Sequence, residues 1–229
     1  MITKDYKTII DNFKAEIGQA CLMAVSKTRS LEEIMAVYQT GQRLFGENHV
    51  QEIVEKFSTG KPEDMEVHMI GHLQSNKVNK VVPLVDMIES VDSVSLLSKI
   101  DVAASRIGKT MNVLLEFNTS GEEAKSGFES RESLFEALDL AKTLDNVKIC
   151  GLMTVGPVSC APEDKERLTD KAFKELRLLK DECKKLYPEL NFDVLSMGMS
   201  DDYMIGVKNG STEVRIGTAI FGARDYSKK

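Results

Sequence analysis

Positive charge is not in excess here. The 229 residues carry 30 Lys and Arg against 36 Asp and Glu, a net charge of −6. The basic residues are scattered, so the basic stripe that nucleic acid requires is missing. No apolar stretch approaches the length of a membrane span. The opening MITKDYKTIIDNF is charged throughout and has no apolar core of secretory-leader length. Nucleic-acid binding, membrane insertion and secretion are therefore not expected, and the expected compartment is the cytoplasm. Cysteine is sparse: Cys21, Cys150, Cys160 and Cys183 stand far apart with no CxxC pair. That excludes a zinc-ribbon spacing and a disulfide framework, and each thiol reads as a small apolar residue. Linkers rich in Gly, Ser or Pro, internal repeats and low-complexity segments are also missing. The expectation is one domain over residues 1–229.

Two periods alternate along the chain. Short runs rich in Val, Ile, Leu and Met read as buried strands: CLMAV (21–25), RLFG (43–46), EVHMIG (66–71), DMIESV (86–91), MNVLLEF (111–117), KICGLMTV (148–155), FDVLSMG (192–198) and VRIGTAIFG (214–222). Between them apolar residues recur every three or four positions, as amphipathic helices require. Leu31, Ile34, Met35 and Tyr38 form one such stripe, and Val50, Ile53, Val54 and Phe57 another. Ser30 followed by Glu33 fits a capping box, and Ser200, Asp201 and Asp202 read as a cap with an acidic first turn. A further helix, with Tyr6, Ile10, Phe13 and Ile17 on one face, precedes the first strand. Apolar strands separated by helices imply parallel strands covered on both sides. Eight such units favour a closed (β/α)8 barrel. The rival, an open doubly wound sheet, lacks its usual GxGxxG after the first strand.

In such barrels the chemistry sits at the carboxyl ends of the strands. Lys27 follows strand one there, as a solvated exit charge or as a reactive amine. Ser200 follows strand seven, and Arg215, Gly217 and Thr218 lie in or after strand eight. Phosphate sites often form at these last two strand ends. Gly217 allows close backbone approach, while Ser200 and Thr218 supply hydroxyls. Asp201 and Asp202 oppose an anion unless their side chains turn away. A phosphate anchor opposite a lysine suggests a phosphorylated aldehyde, because a neutral amine condenses with an aldehyde. Desolvation or nearby positive charge brings an amine toward neutrality. Arg215 supplies such charge, and its guanidinium cannot accept a proton from a ring nitrogen.

AVSKT (24–28), FGENHVQE (45–52), HMIGHLQSNK (68–77), SVDS (90–93), KSGF (125–128), GLMT (151–154), SMGMSDD (196–202) and VRIGTAIFGARDY (214–226) together resemble the pyridoxal phosphate homeostasis protein family. That family is akin to the barrel half of alanine racemase. The resemblance implies a fold type III barrel that binds pyridoxal 5′-phosphate (PLP) as an internal aldimine on Lys27. Ser200, Gly217 and Thr218 match its phosphate group, Arg215 the arginine facing the pyridine nitrogen, and Asn48 a residue of the cofactor cleft. Met199, beside Ser200, is placed against the ring. The implied function is storage and delivery of the cofactor in vitamin B6 homeostasis, with apo PLP-dependent enzymes as possible recipients and the chain a monomer or weak dimer. The alternative is a racemase-like enzyme with weak activity. Racemases use a second base, a tyrosine from an added β-domain of a partner chain. The five tyrosines here, Tyr6, Tyr38, Tyr187, Tyr203 and Tyr226, fall mostly on predicted helices or at the terminus.

His68 and His72 are four apart, but they end a strand and have no evident carboxylate partners, so no metal site is expected. One is read as packed and the other as lining the cleft. Lys77, Lys80 and Lys125 read as a solvated face in preference to a patch that passes the cofactor on.

Overall fold

The computed structural model of the protein describes residues 5–223. The stripe beginning at Tyr6 forms α1 (Tyr6–Ile17), started by Asp5, whose carboxylate accepts from the Thr8 amide at 3.1 Å. The strands are β1 (Cys21–Val25), β2 (Leu44–Glu47), β3 (Glu66–Met69), β4 (Met87–Val91), β5 (Met111–Glu116), β6 (Val147–Met153), β7 (Val194–Met199) and β8 (Glu213–Ile216). Between them run α2 (Leu31–Tyr38), α3 (Val50–Phe57), α4 (Val78–Val81), α5 (Val94–Ser105), α6 (Arg131–Ala141), α7 (Pro162–Leu186) and α8 (Tyr203–Lys208), and α9 (Thr218–Phe221) follows β8. The strands are parallel and adjacent in chain order, and β8 closes on β1 from Cys21↔Glu213 to Ala24↔Ile216. The fold is a (β/α)8 barrel with α1 as an additional helix. Among the described residues no helix is long and apolar enough to cross a membrane.

Local chemistry sets the boundaries. Ser30 caps α2 by accepting from the Glu33 amide at 3.2 Å, and Glu33 reaches back to the Ser30 amide at 3.0 Å. The last apolar run divides: the strand ends at Ile216, and Ile220 and Phe221 bond back to the Gly217 carbonyl as a helical turn. A short apolar run does not by itself distinguish strand from buried helix. The helix cap expected at Ser200 also shifts, since Asp202 takes the N-cap position of α8. The helical segment Ser75–Val81 lacks a sequence signal because only Val78 and Val81 of it are buried.

The apolar core lies between strands and helices, where Phe45, Val67, Ile88 and Leu195 meet Ile34, Ile53, Leu138 and Leu176. Each such side chain contributes ~1.5–3 kcal/mol through burial. The barrel interior is different. Ser196 on β7 lies 2.7 Å from Glu89 on β4, and since these strands are not neighbours the contact spans the lumen. Where branched apolar layers are usual, buried His68, Glu89, Ser196, Glu213 and Arg215 form a polar layer.

Candidate functional site

A cavity of about 290 Å³ opens at the carboxyl ends of β1, β2, β7 and β8. Lys27, Asn48, Met199, Ser200, Arg215, Gly217 and Thr218 all line it, so residues spread over the chain meet at one rim. Val25, Arg29, Ile70, Val155 and Asp201 complete the lining. The apolar members of this set went unnoticed in the sequence, because nothing distinguishes them from core residues before the barrel closes.

Each wall has a local cause. Lys27 is half-buried just past β1, in a loop whose Thr28 has φ 64. That left-handed conformation disfavours a β-branched residue by on the order of 1–3 kcal/mol. Asn48 follows β2 and is backed by Gly71, where a Cβ would sit 2.3 Å from the Asn48 carbonyl oxygen. Only glycine lets the two chains approach this closely. On the opposite wall, the Gly217 amide donates to the Ser200 hydroxyl at 3.4 Å, which joins the loops after β7 and β8. Arg29 grips the Gly222 carbonyl at 2.5 Å and ties the lysine loop to the segment after β8.

The two aspartates differ: Asp201 lines the cavity, whereas Asp202 does not. The Asp201 carboxylate is 81% exposed and faces Lys165 at 4.0 Å. Asp202 is turned back to accept from the Met199 amide at 2.6 Å, and burial raises its pKa.

Arg215 forms the floor. Its guanidinium is buried and donates to Ser196 Oγ at 2.6 Å and to the Thr154 carbonyl at 2.8 Å. Beneath it, Ser196 contacts Glu89 at 2.7 Å and Glu213 at 2.8 Å, and His68 Nδ1 lies 2.7 Å from Glu89. Burial alone would depress the His68 imidazole, but its bonds to Glu66 and Glu89 and the nearby carboxylates carry it up to about 10. Burial and the adjacent Glu89 charge push Glu213 up to about 8. Burial pushes Glu116 up to about 7.

This corrects the reading of His68 as lacking carboxylate partners. The ligating atoms of His68, Glu89 and Glu213 lie within 4.8 Å of one another. They are engaged with each other and with Ser196, and Arg215 already supplies a positive charge beside them. The arrangement is that of an internal polar network rather than an open metal site. His72 is exposed, 3.1 Å from Asp92, and lines a neighbouring cavity with His49 and Lys77. Lys125 is engaged rather than solvated: it pairs with Glu122 at 2.5 Å and donates to the Gly156 carbonyl at 2.6 Å, bridging the loops after β5 and β6.

Sequence comparison places this geometry among known proteins. The family described as "Alanine racemase, N-terminal domain" matches residues 5–225. The chain is 42% identical over 212 residues to the pyridoxal phosphate homeostasis protein of Pasteurella multocida, covering 90% of this chain and 88% of the relative. It is 42% identical over 221 residues to that of Homo sapiens, covering 92% and 79%. The chain belongs to the pyridoxal phosphate homeostasis protein family. Among solved members of similar structure, PipY of Synechococcus elongatus superimposes without PLP at a TM-score of 0.88, and with PLP bound at 0.85. Both share 32% identity with this chain and cover 95% of it and 100% of PipY. Alanine racemase of Clostridium difficile shares the fold at a TM-score of 0.80 and 16% identity, and this chain spans 61% of it. This member of the pyridoxal phosphate homeostasis protein family thus shares with the racemase its barrel fold.

Proposed function

We propose that the protein binds pyridoxal 5′-phosphate covalently at Lys27 and holds it for storage and delivery in the cytoplasm. The observation that carries this reading is the placement of Lys27, Arg215, Ser200, Gly217 and Thr218 around one cavity. The donor set fits the cofactor: the Ser200 and Thr218 hydroxyls and the close-approaching backbone at Gly217 suit its phosphate, Asp202 is turned back onto the Met199 amide, and the exposed Asp201 carboxylate has Lys165 at 4.0 Å. PipY, solved with PLP bound, and the names of the relatives support the same cofactor.

When bound, the cofactor supplies an aldehyde as electrophile and a phosphate as anionic handle. Lys27 would hold the cofactor through Nζ, whose neutral amine form would add to the aldehyde carbon with the carbonyl oxygen released as water. Arg215 keeps a permanent positive charge, held in place by Ser196 and the Thr154 carbonyl, so it offers no acceptor for a proton on the ring nitrogen. That weakens the ring as an electron sink and favours holding over rapid turnover. No tyrosine of the described residues lines the cavity. Tyr203 donates to Glu16 instead, and that bond pushes its hydroxyl up to about 12.

The test is the absorption spectrum of purified protein with PLP, before and after borohydride. A visible band lost on reduction, with the cofactor mass fixed on Lys27, supports the reading. A colourless protein, or one in which Lys27→Ala leaves the spectrum unchanged, overturns it. Transfer of PLP to an apo-enzyme supports delivery, whereas rapid racemisation of an L-amino acid panel replaces delivery with the racemase reading.

A further inference from the structure

Thr28 is the one non-glycine position with positive φ among the described residues, and it follows Lys27 directly. A threonine does not hold this conformation unaided. Its amide donates to Glu52 Oε2 at 2.6 Å. The same carboxylate oxygen accepts from Lys56 Nζ at 2.8 Å. Lys56 Nζ then donates to the Ser26 carbonyl at 3.0 Å and to Glu47 Oε1 at 2.8 Å, so its three donors are all used. Ser26 adds a hydroxyl bond to Glu47 Oε1 at 2.6 Å. The residues on both sides of Lys27 are thereby gripped by side chains from β2 and α3, while the Lys27 side chain lines the cavity.

We propose that Glu52 and Lys56 are positioning residues: they clamp the Ser26–Thr28 backbone in its left-handed turn and so aim Lys27 at the cofactor aldehyde. This rests on the reading of Lys27 as the point of attachment and names what presents it. Neither residue reaches the cavity lining, so both act through the backbone. The network is mostly shielded: the side chains of Lys56 and Glu47 are 10% and 0% exposed, which keeps water from competing for these bonds. Freed of the clamp, Thr28 relaxes to negative φ, the Lys27 Cα–Cβ vector turns, and the amine meets the aldehyde less often in a reactive pose.

The experiment mixes the apoprotein with pyridoxal 5′-phosphate. It follows growth of the visible band and quantifies Lys27 labelling after borohydride by mass spectrometry. Glu52→Ala is expected to load about tenfold more slowly, the effect of losing one charge-assisted hydrogen bond. Adding Thr28→Gly to Glu52→Ala is expected to restore most of the rate, because glycine enters positive φ without help. A role of Glu52 limited to the stability of α3 would not respond to that second substitution. Thermal melting of each apoprotein is recorded alongside. Should Glu52→Ala fail to fold, Glu52→Leu keeps much of the bulk with no acceptor for the Thr28 amide and is read the same way. Wild-type loading of Glu52→Ala, or no recovery on adding Thr28→Gly, overturns the clamp while leaving the cofactor assignment intact. A wild-type protein that never labels at Lys27 overturns both.

Discussion

The Ser196 hydroxyl sits 2.8 Å from Glu213 and accepts a bond from Arg215 at 2.6 Å while lying 2.7 Å from Glu89. A hydroxyl has one proton and two lone pairs. It cannot donate to both carboxylates at once. The arrangement closes if Ser196 donates to ionised Glu89 and accepts from a protonated Glu213. The directions agree: Glu89 is held below its usual value, though burial alone would raise it, by His68, Arg215 and Ser196, whereas Glu213 is pushed up to about 8.

Stability should therefore fall with rising pH. The folded-state pKa of His68 is raised from 6.5 to about 10, so from about pH 6.5 to about 10 the folded protein holds a proton that the unfolded chain releases. Glu213 acts in the same sense from 4.5 to about 8. By linkage, stability declines wherever the folded state binds more protons. Melting temperatures measured from pH 6.5 to 10 should drop steadily, and His68→Gln should flatten the upper part of that slope. A flat wild-type profile would contradict a charged imidazole in the lumen.

Removing Arg215 should harm folding as well as binding. Arg215→Met leaves Glu89 with less compensation in a dry interior and strips the donor from Ser196 and the Thr154 carbonyl. Breaking one partner out of a buried charge network costs about 3–5 kcal/mol. Denaturant unfolding should show a loss of this size, with Ser196→Ala intermediate at ~1–3 kcal/mol.

Gly71→Ala tests the support of Asn48. The new Cβ would stand 2.3 Å from the Asn48 carbonyl oxygen and 2.8 Å from its Cα, and both atoms are backbone, so no rotamer change relieves the clash. Overpacking of this kind costs about 1–3 kcal/mol. The expected result is a lowered melting temperature together with weaker retention of PLP in dialysis.

Ser30→Ala isolates a purely structural effect near the site. It removes the cap of α2 and half of the capping box, for about 1 kcal/mol. Melting should report the loss, while the rate of cofactor attachment should hardly change, because the Thr28 amide is held by Glu52 rather than by Ser30.

The burials also explain where sequence reading succeeds. The strand runs and helix stripes stand out because each helix has one covered side, as with Ile53 and Phe57 of α3, and Ser30–Glu33 carries its cap within four residues. These are local signals. The division of 214–222 into strand and helix is less visible, since apolar residues continue through both parts. Of the carboxylate partners of His68, Glu66 stands two positions before it, but Glu89 and Glu213 lie 21 and 145 positions away and meet it only when the barrel forms.

By itself the order of residues determined an eight-unit barrel, the additional first helix, the family, and a rim where Lys27 and the segments after strands seven and eight converge. Periodicity and motif spacing are properties of neighbours along the chain. Only the closed structure decided that Asp202 turns back onto the Met199 amide, that Lys125 bridges two loops, and that the Thr28 amide meets Glu52. Those depend on side-chain direction and burial, which set hydrogen-bond partners and charge, and neither exists until distant strands pack together.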